Sequence, residues 1–181
     1  MSENLKKRIY TSFVLLLILF CMFVNNFVLG YFLIILSVFS VLEFYKIISI
    51  IYKKEKIKKF LINLFFLFYI FSFSSVFLIL SYFLHLKILI FTILITCVAS
   101  DIGGFVVGKM LKGKKLTKLS PNKTITGAIG SLIFSIIFLS LSIYYLTNNF
   151  GIYFSIIGCL TSIACQIGDL FFSFLKRKSF I

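Results

Sequence analysis

Only five acidic residues occur among the 181 of this chain, against 19 Lys and Arg. Two of them, Glu3 and Glu55, sit among lysines and read as surface charge. The other three, Glu43, Asp101 and Asp169, each follow an apolar run. Carboxylates at membrane depth are costly and usually mark function or pairing. They bind hard divalent cations, while lysines nearby bind phosphate oxygens as point charges. Three carboxylates facing a loop that holds Lys109, Lys112, Lys114, Lys115, Lys118 and Lys123 therefore suit a metal-bound phosphate compound. For Glu43, pairing with a nearby lysine is the simpler reading; the residues around Asp101 and Asp169 say more.

Asp101, Gly104 and Gly108 fall at i, i+3 and i+7, one face of a helix. The two glycines also form a small-xxx-small pair suited to close helix contact. Downstream, Ser120 supplies a hydroxyl and Pro121 the chain's one rigid φ, which favours a turn or a helix start. Lys123 and Thr124 follow with an ammonium and a hydroxyl, and backbone N–H groups near Gly127 are expected to be free for an anion. The segment reads as a phosphate-binding loop, although no GxxxxGK[ST] pattern is present. A second stripe places Asp169, Ser173 and Lys176 at i, i+4 and i+7, with Arg177 beside them. A carboxylate, a hydroxyl and a cation on one face can hold Mg²⁺ and phosphate together. Gly168 is expected to let a neighbour approach closely.

The elements that position these residues follow from composition. Apolar residues make up 61% of the chain and Phe alone supplies 25, whereas charged residues are 13%. Soluble domains run at about 45–50% apolar and about 25% charged. A soluble globule is excluded, and so are disordered and collagen-like chains, with one Pro and no glycine period. The expected fold is all-α: a polytopic membrane protein of about six transmembrane helices with short loops. The apolar segments are Ile9–Val24, Phe27–Leu42, Phe60–Leu80, Ile88–Ser100, Ala128–Leu146 and Phe150–Asp169. Six crossings put every basic residue except Lys87 on one side, which the positive-inside rule makes the cytoplasm. Both termini are then cytoplasmic, and Glu43, Asp101 and Asp169 sit at the cytoplasmic ends of the even-numbered helices. The first helix reads as retained rather than cleaved. Residues 1–181 are expected to form one transmembrane domain, with helical hairpins over 1–60 and the motif-bearing region over 99–177.

Other chemistries fail on inventory. The four cysteines lie inside apolar stretches without a CxxC pair, and His85 is the one histidine, so a zinc site or a Ser-His-Asp triad is not expected. The basic residues lie between apolar stretches, where anionic headgroups are nearer than nucleic acid, so no nucleic-acid partner is expected.

The two motif stretches together resemble the phosphatidate cytidylyltransferase family, also called CDP-diacylglycerol synthases. The family pattern has an Asp before a glycine-bearing helix, matched by Asp101, Gly104 and Gly108, then S-P-x-K-T-x-x-G, matched by Ser120, Pro121, Lys123, Thr124 and Gly127. Its signature then begins G-D-x-x-x-S-x-x-K-R, matched by Gly168, Asp169, Ser173, Lys176 and Arg177. Thr126 and Phe172 stand where family members usually carry acidic residues. After Lys-Arg the family pattern continues with Lys-Asp, P-G-H-G-G and D-R-x-D elements, whereas this sequence ends at Ile181. The chain is therefore expected to be partial, inserting in the membrane with little or no activity alone.

The resemblance implies transfer of CMP from CTP to phosphatidate, giving CDP-diacylglycerol and pyrophosphate, in the inner (cytoplasmic) membrane with Mg²⁺ as cofactor. It implies catalytic roles for Asp101, Lys123, Asp169 and Lys176, phosphate contacts from Ser120, Lys123, Thr124, Ser173, Lys176 and Arg177, and metal binding by Asp169 and Asp101. Expected partners are CTP, phosphatidate and membrane lipid; a homodimer and a separately encoded C-terminal segment are both left open. The rival class is a small transporter or ion-conducting subunit that uses Asp101 and Asp169 as ion or proton ligands.

Overall fold

The computed structural model describes residues 3–111, 113–116 and 123–179, with the backbone alone for 3–9 and 11–13. Six α-helices follow one another: α1 Glu3–Val24, α2 Asn26–Ile51, α3 Lys56–Ser81, α4 Leu84–Leu111, α5 Ile125–Thr147 and α6 Ile152–Lys178. Among the described residues there is no strand, only an isolated antiparallel bridge between Lys115 and Thr124. Five helices, α2 to α6, are long and apolar enough to cross a membrane, and α1 carries the apolar run Val14–Val24. Large apolar side chains such as Phe65, Phe68, Phe71, Leu141 and Tyr145 lie exposed along them. In lipid such faces are solvated, and the backbone groups along the spans are satisfied within each helix. The protein is an all-α polytopic membrane protein.

The helices run further than the apolar segments. The fourth, expected over Ile88–Ser100, spans Leu84–Leu111, and α2 continues to Ile51 and α6 to Lys178. Hydropathy marks only the lipid-facing stretch, whereas Lys, Met and Leu sustain a helix past it and spare its backbone from unmade hydrogen bonds. One expectation changes as a result. Glu43, Asp101 and Asp169 are not at helix ends but two to three turns inside them.

The chain divides into two compact units, Met1–Lys87 and Ile88–Ile181. In the first, α1 packs on α2 and α2 on α3. Asn25 alone separates α1 from α2; its side chain caps α2 by accepting from the Phe27 N–H at 2.8 Å. Phe44 and Phe66 stack at 3.8 Å between centroids, and Ser37 meets Ser74 at 2.9 Å. Lys87, the basic residue that departs from the one-sided pattern, is buried. Its ammonium donates to Asn26 Oδ1 at 2.6 Å and lies over the Phe23 ring. The second unit holds α5, α6 and all of α4 from Ile88 onward, and it contains the candidate site. α5 packs on α6. Gly158 of α6 sits so close that an added methyl would stand 2.9 Å from Ile136 Cα. Polar seams join the helices: Ser135 donates to the Gly158 carbonyl at 2.9 Å, and Ser100 and Ser162 are bonded at 2.9 Å, wholly buried.

Candidate active site

The descent from α4 to α5 brings the first motif together. Leu116 N–H donates to the Lys123 carbonyl at 2.8 Å and Ile125 N–H to the Lys114 carbonyl at 2.9 Å, a short two-stranded clasp around the bridge. The clasp returns Lys123 and Thr124 to the start of α5. There Thr124 is the N-cap: its backbone is extended, at φ −110° and ψ 155°, and its Oγ1 accepts from Gly127 N–H at 3.0 Å.

Glycines let α4 and α5 touch backbone to backbone. A methyl added at Gly127 would stand 2.8 Å from the Gly104 carbonyl oxygen, and one at Gly108 would stand 3.3 Å from Gly127 Cα. A methyl at Gly104 would strike Ser131 Oγ, which donates to the Gly127 carbonyl at 3.1 Å. The small-xxx-small reading of Gly104 and Gly108 thus corresponds to an actual crossing.

Beside this crossing lies a cavity of about 490 Å³. Asp101, Lys123, Thr124 and Asp169 line it, together with Gly104, Gly108 and Gly127. Lys123 Nζ donates to Asp169 Oδ2 at 2.6 Å, joining the start of α5 to α6 across 46 residues of sequence. Asp101 interacts electrostatically with both Asp169 and Lys123. The cavity wall also includes Phe105 and Lys109, whose ammonium lies 5.6 Å from the Phe105 ring centroid.

The remaining sequence-identified residues are placed differently. Ser120 and Pro121 lie outside the described residues. Ser173, Lys176 and Arg177 are in the last turns of α6 and are not among the residues that line the cavity. Glu43 belongs to α2, in the other unit. Two expectations are corrected. The Gly127 N–H is not free for an anion, because the Thr124 cap occupies it, and Ile125 N–H is taken by Lys114. A capped helix start presents fewer orphan donors. Gly168 has no described atom within 4 Å of an added methyl, so none of the described residues uses it for close approach.

Gln166 escaped the sequence reading. It lines the cavity one turn ahead of Asp169, and its Nε2 donates to the Ala128 carbonyl and to Ser162 Oγ, both at 3.2 Å. The available signal was an amide in an apolar helix, at i−3 from the aspartate. Lys109 is one of the six loop lysines expected to face the carboxylates, and its place on the cavity wall agrees with that; its contact with Phe105 follows the i, i+4 spacing.

Among the described residues no group of three or more His, Cys, Asp or Glu side chains converges as a metal cage. Two carboxylates on one cavity are nevertheless a hard-oxygen donor set. Mg²⁺ usually takes one or two protein carboxylates, with phosphates and waters completing its shell, and these residues fit that habit. Chemically, the arrangement offers acceptor oxygens for a cation, ammonium groups for phosphates, and a cleft opening between helices.

Comparison with known proteins agrees with this inventory. A family model described as "Cytidylyltransferase family" matches residues 50–181. The chain is 38% identical over 89 residues to the phosphatidate cytidylyltransferase of Helicobacter pylori strain ATCC 700392 / 26695, covering 48% of this chain and 32% of that protein. It is 39% identical over 88 residues to the phosphatidate cytidylyltransferase of Rickettsia typhi, covering 43% and 38%, and 36% identical over 80 residues to that of Staphylococcus haemolyticus, covering 43% and 31%. The matches thus span about a third of the length of these curated relatives. No solved structure matches the chain. With Asp101, Lys123, Thr124 and Asp169 gathered on one cavity and a family match over most of its length, the chain belongs to the cytidylyltransferase family.

Proposed function

We propose that this chain carries the nucleotide-binding and phosphate-binding part of a CTP:phosphatidate cytidylyltransferase. The reaction joins a phosphatidate oxygen to the α-phosphorus of CTP and breaks the bond from that phosphorus to the bridging oxygen. Pyrophosphate leaves and CDP-diacylglycerol remains in the membrane. The observation that carries the reading is the meeting of Asp101, Lys123 and Asp169 on one cavity of a membrane-spanning helical unit.

Both substrates are strongly anionic, so much of the barrier is charge repulsion and misalignment. Asp101 and Asp169 are the residues that would hold Mg²⁺, which when bound supplies charge neutralisation at phosphate oxygens. Lys123 would hold a phosphate once its ammonium leaves Asp169. The Thr124 hydroxyl holds the start of α5 in register, and that register aims Lys123 at the cavity. Lys176 and Arg177, at the end of α6, would meet phosphate groups at the membrane surface. The reading places the basic loops and both termini in the cytoplasm, at the inner membrane, where soluble CTP meets a lipid-anchored phosphate.

The test is equilibrium binding of CTP with Mg²⁺ to the 181-residue chain in nanodiscs, together with CDP-diacylglycerol formation from labelled CTP. Saturable, Mg²⁺-dependent CTP binding that disappears in Asp169→Asn is the expected result. A chain that inserts and folds but binds no CTP overturns the reading.

A further inference from the structure

The amide of Gln166 has only one orientation open to it. Nε2 donates to the Ala128 carbonyl, a group that can only accept. Turning the amide over would set Oε1 against that carbonyl, oxygen to oxygen. The second N–H goes to Ser162 Oγ, itself bonded to Ser100 Oγ at 2.9 Å in a wholly buried pair. Both donors of Gln166 are therefore spent on α5 and α6. What remains unspent on this cavity-lining residue is Oε1, an acceptor that cannot become a donor.

The surroundings narrow what this acceptor meets. Gln166 lies three residues, about 4.5 Å along α6, before Asp169, toward the middle of the helix. The cavity wall it shares also holds Gly104, Phe105, Ala128 and Ser131. The Ser131 hydroxyl proton is already given to the Gly127 carbonyl. Apart from the Asp101 carboxylate, three residues before Gly104 on α4, the wall thus offers a flat aromatic surface, small residues and the amide oxygen of Gln166. A planar ring with an exocyclic N–H fits it; a ring with a carbonyl at the same position would set two acceptors face to face.

We propose that Gln166 is a specificity-determining residue whose Oε1 accepts a hydrogen bond from the exocyclic amine of the cytosine ring, so that the site takes CTP and rejects UTP. This rests on the function proposed above and deepens it. Ala128 and Ser162 act as positioning residues that hold the amide in its accepting orientation.

The experiment measures Kd values for three nucleotides on the 181-residue chain in nanodiscs with Mg²⁺: CTP, UTP, and the 4-deamino analogue of CTP, whose ring lacks the exocyclic amine. The unaltered chain should bind CTP about tenfold more tightly than either of the others. In Gln166→Leu, CTP should weaken about tenfold while the deamino analogue changes less than about twofold. Gln166→Met, unbranched like Gln, serves as the second variant, and the three-nucleotide comparison on the unaltered chain needs no variant at all. Equal binding of all three nucleotides by the unaltered chain overturns the inference. So does an equal loss for CTP and the analogue in both variants, which would make the amide merely structural. In either case CTP still binds and the proposed function stands. Failure of the unaltered chain to bind any of the three sinks that function, and the base-reading role with it.

Discussion

The Lys123 ammonium and the Asp169 carboxylate meet at 2.6 Å, although 46 residues separate them. The pair is partly exposed, with the two side chains at 32% and 56% of full accessibility. It is therefore a weak tie in free-energy terms, of the order of 1 kcal/mol or less. A weak tie of this kind keeps both groups on the cavity yet yields to a stronger partner: a phosphate for the lysine, a divalent cation for the carboxylate.

Replacing Asp169 with Asn removes the negative charge and keeps the shape. Mn²⁺ used as a Mg²⁺ probe, followed by electron paramagnetic resonance, should bind the unaltered chain in the presence of CTP and be lost in Asp169→Asn. Asp101→Asn should weaken binding to a smaller degree, in keeping with a supporting role beside Asp169. Undiminished Mn²⁺ binding in Asp169→Asn would remove this residue from the metal site.

Lys123→Ala should weaken CTP binding by roughly 10- to 150-fold, the cost of about 1.5–3 kcal/mol for a lost hydrogen bond to a charged group. Lys54→Ala, an exposed lysine of the other unit, is the comparison and should change binding less than about twofold. If the two substitutions had equal, small effects, Lys123 would be a topology residue and nothing more.

Gly127→Ala and Gly168→Ala should differ sharply in stability. At Gly127 the new methyl meets the Gly104 carbonyl oxygen at 2.8 Å, and backbone cannot swing aside, so about 1–3 kcal/mol should be lost. At Gly168 no described atom lies within 4 Å, and alanine's better helix propensity should leave stability unchanged or raised by up to about 1 kcal/mol. Thermal unfolding in detergent reads both. Equal midpoints for the two variants would mean that α4 and α5 do not cross at Gly104 and Gly127.

Thr124→Ala removes the oxygen that caps Gly127 N–H and should cost about 1 kcal/mol, whereas Thr124→Ser keeps the cap and should stay close to the unaltered chain. The Ala variant should also loosen CTP binding through the register of Lys123, while the Ser variant should not. Identical unfolding midpoints for the two would show that the cap adds nothing.

Reporter fusions at Asn148, between α5 and α6, and after Lys178, at the far end of α6, should report opposite sides of the membrane, with the second in the cytoplasm. Finding both on one side would overturn the six-crossing topology.

Composition and hydropathy alone determined that this is an all-α membrane protein built of long apolar helices, because lipid admits so few backbone arrangements. The rarity of acidic residues singled out Asp101 and Asp169, and local spacing put Asp101, Gly104 and Gly108 on one face, which the cavity wall bears out. These are short-range or compositional properties, legible without a fold. Tertiary structure decided the rest. Where helices end depended on propensity past the apolar stretch, so Asp101 and Asp169 proved to lie inside their helices. Whether the Thr124 hydroxyl was free depended on the cap it makes with Gly127, and whether Gly168 had a neighbour depended on what packed beside α6. The Lys123–Asp169 pair and the fixed amide of Gln166 join α5 to α6 across 46 and 38 residues. No local pattern encodes such partners, because the contact is set by the crossing of α5 and α6 and not by the spacing along either helix.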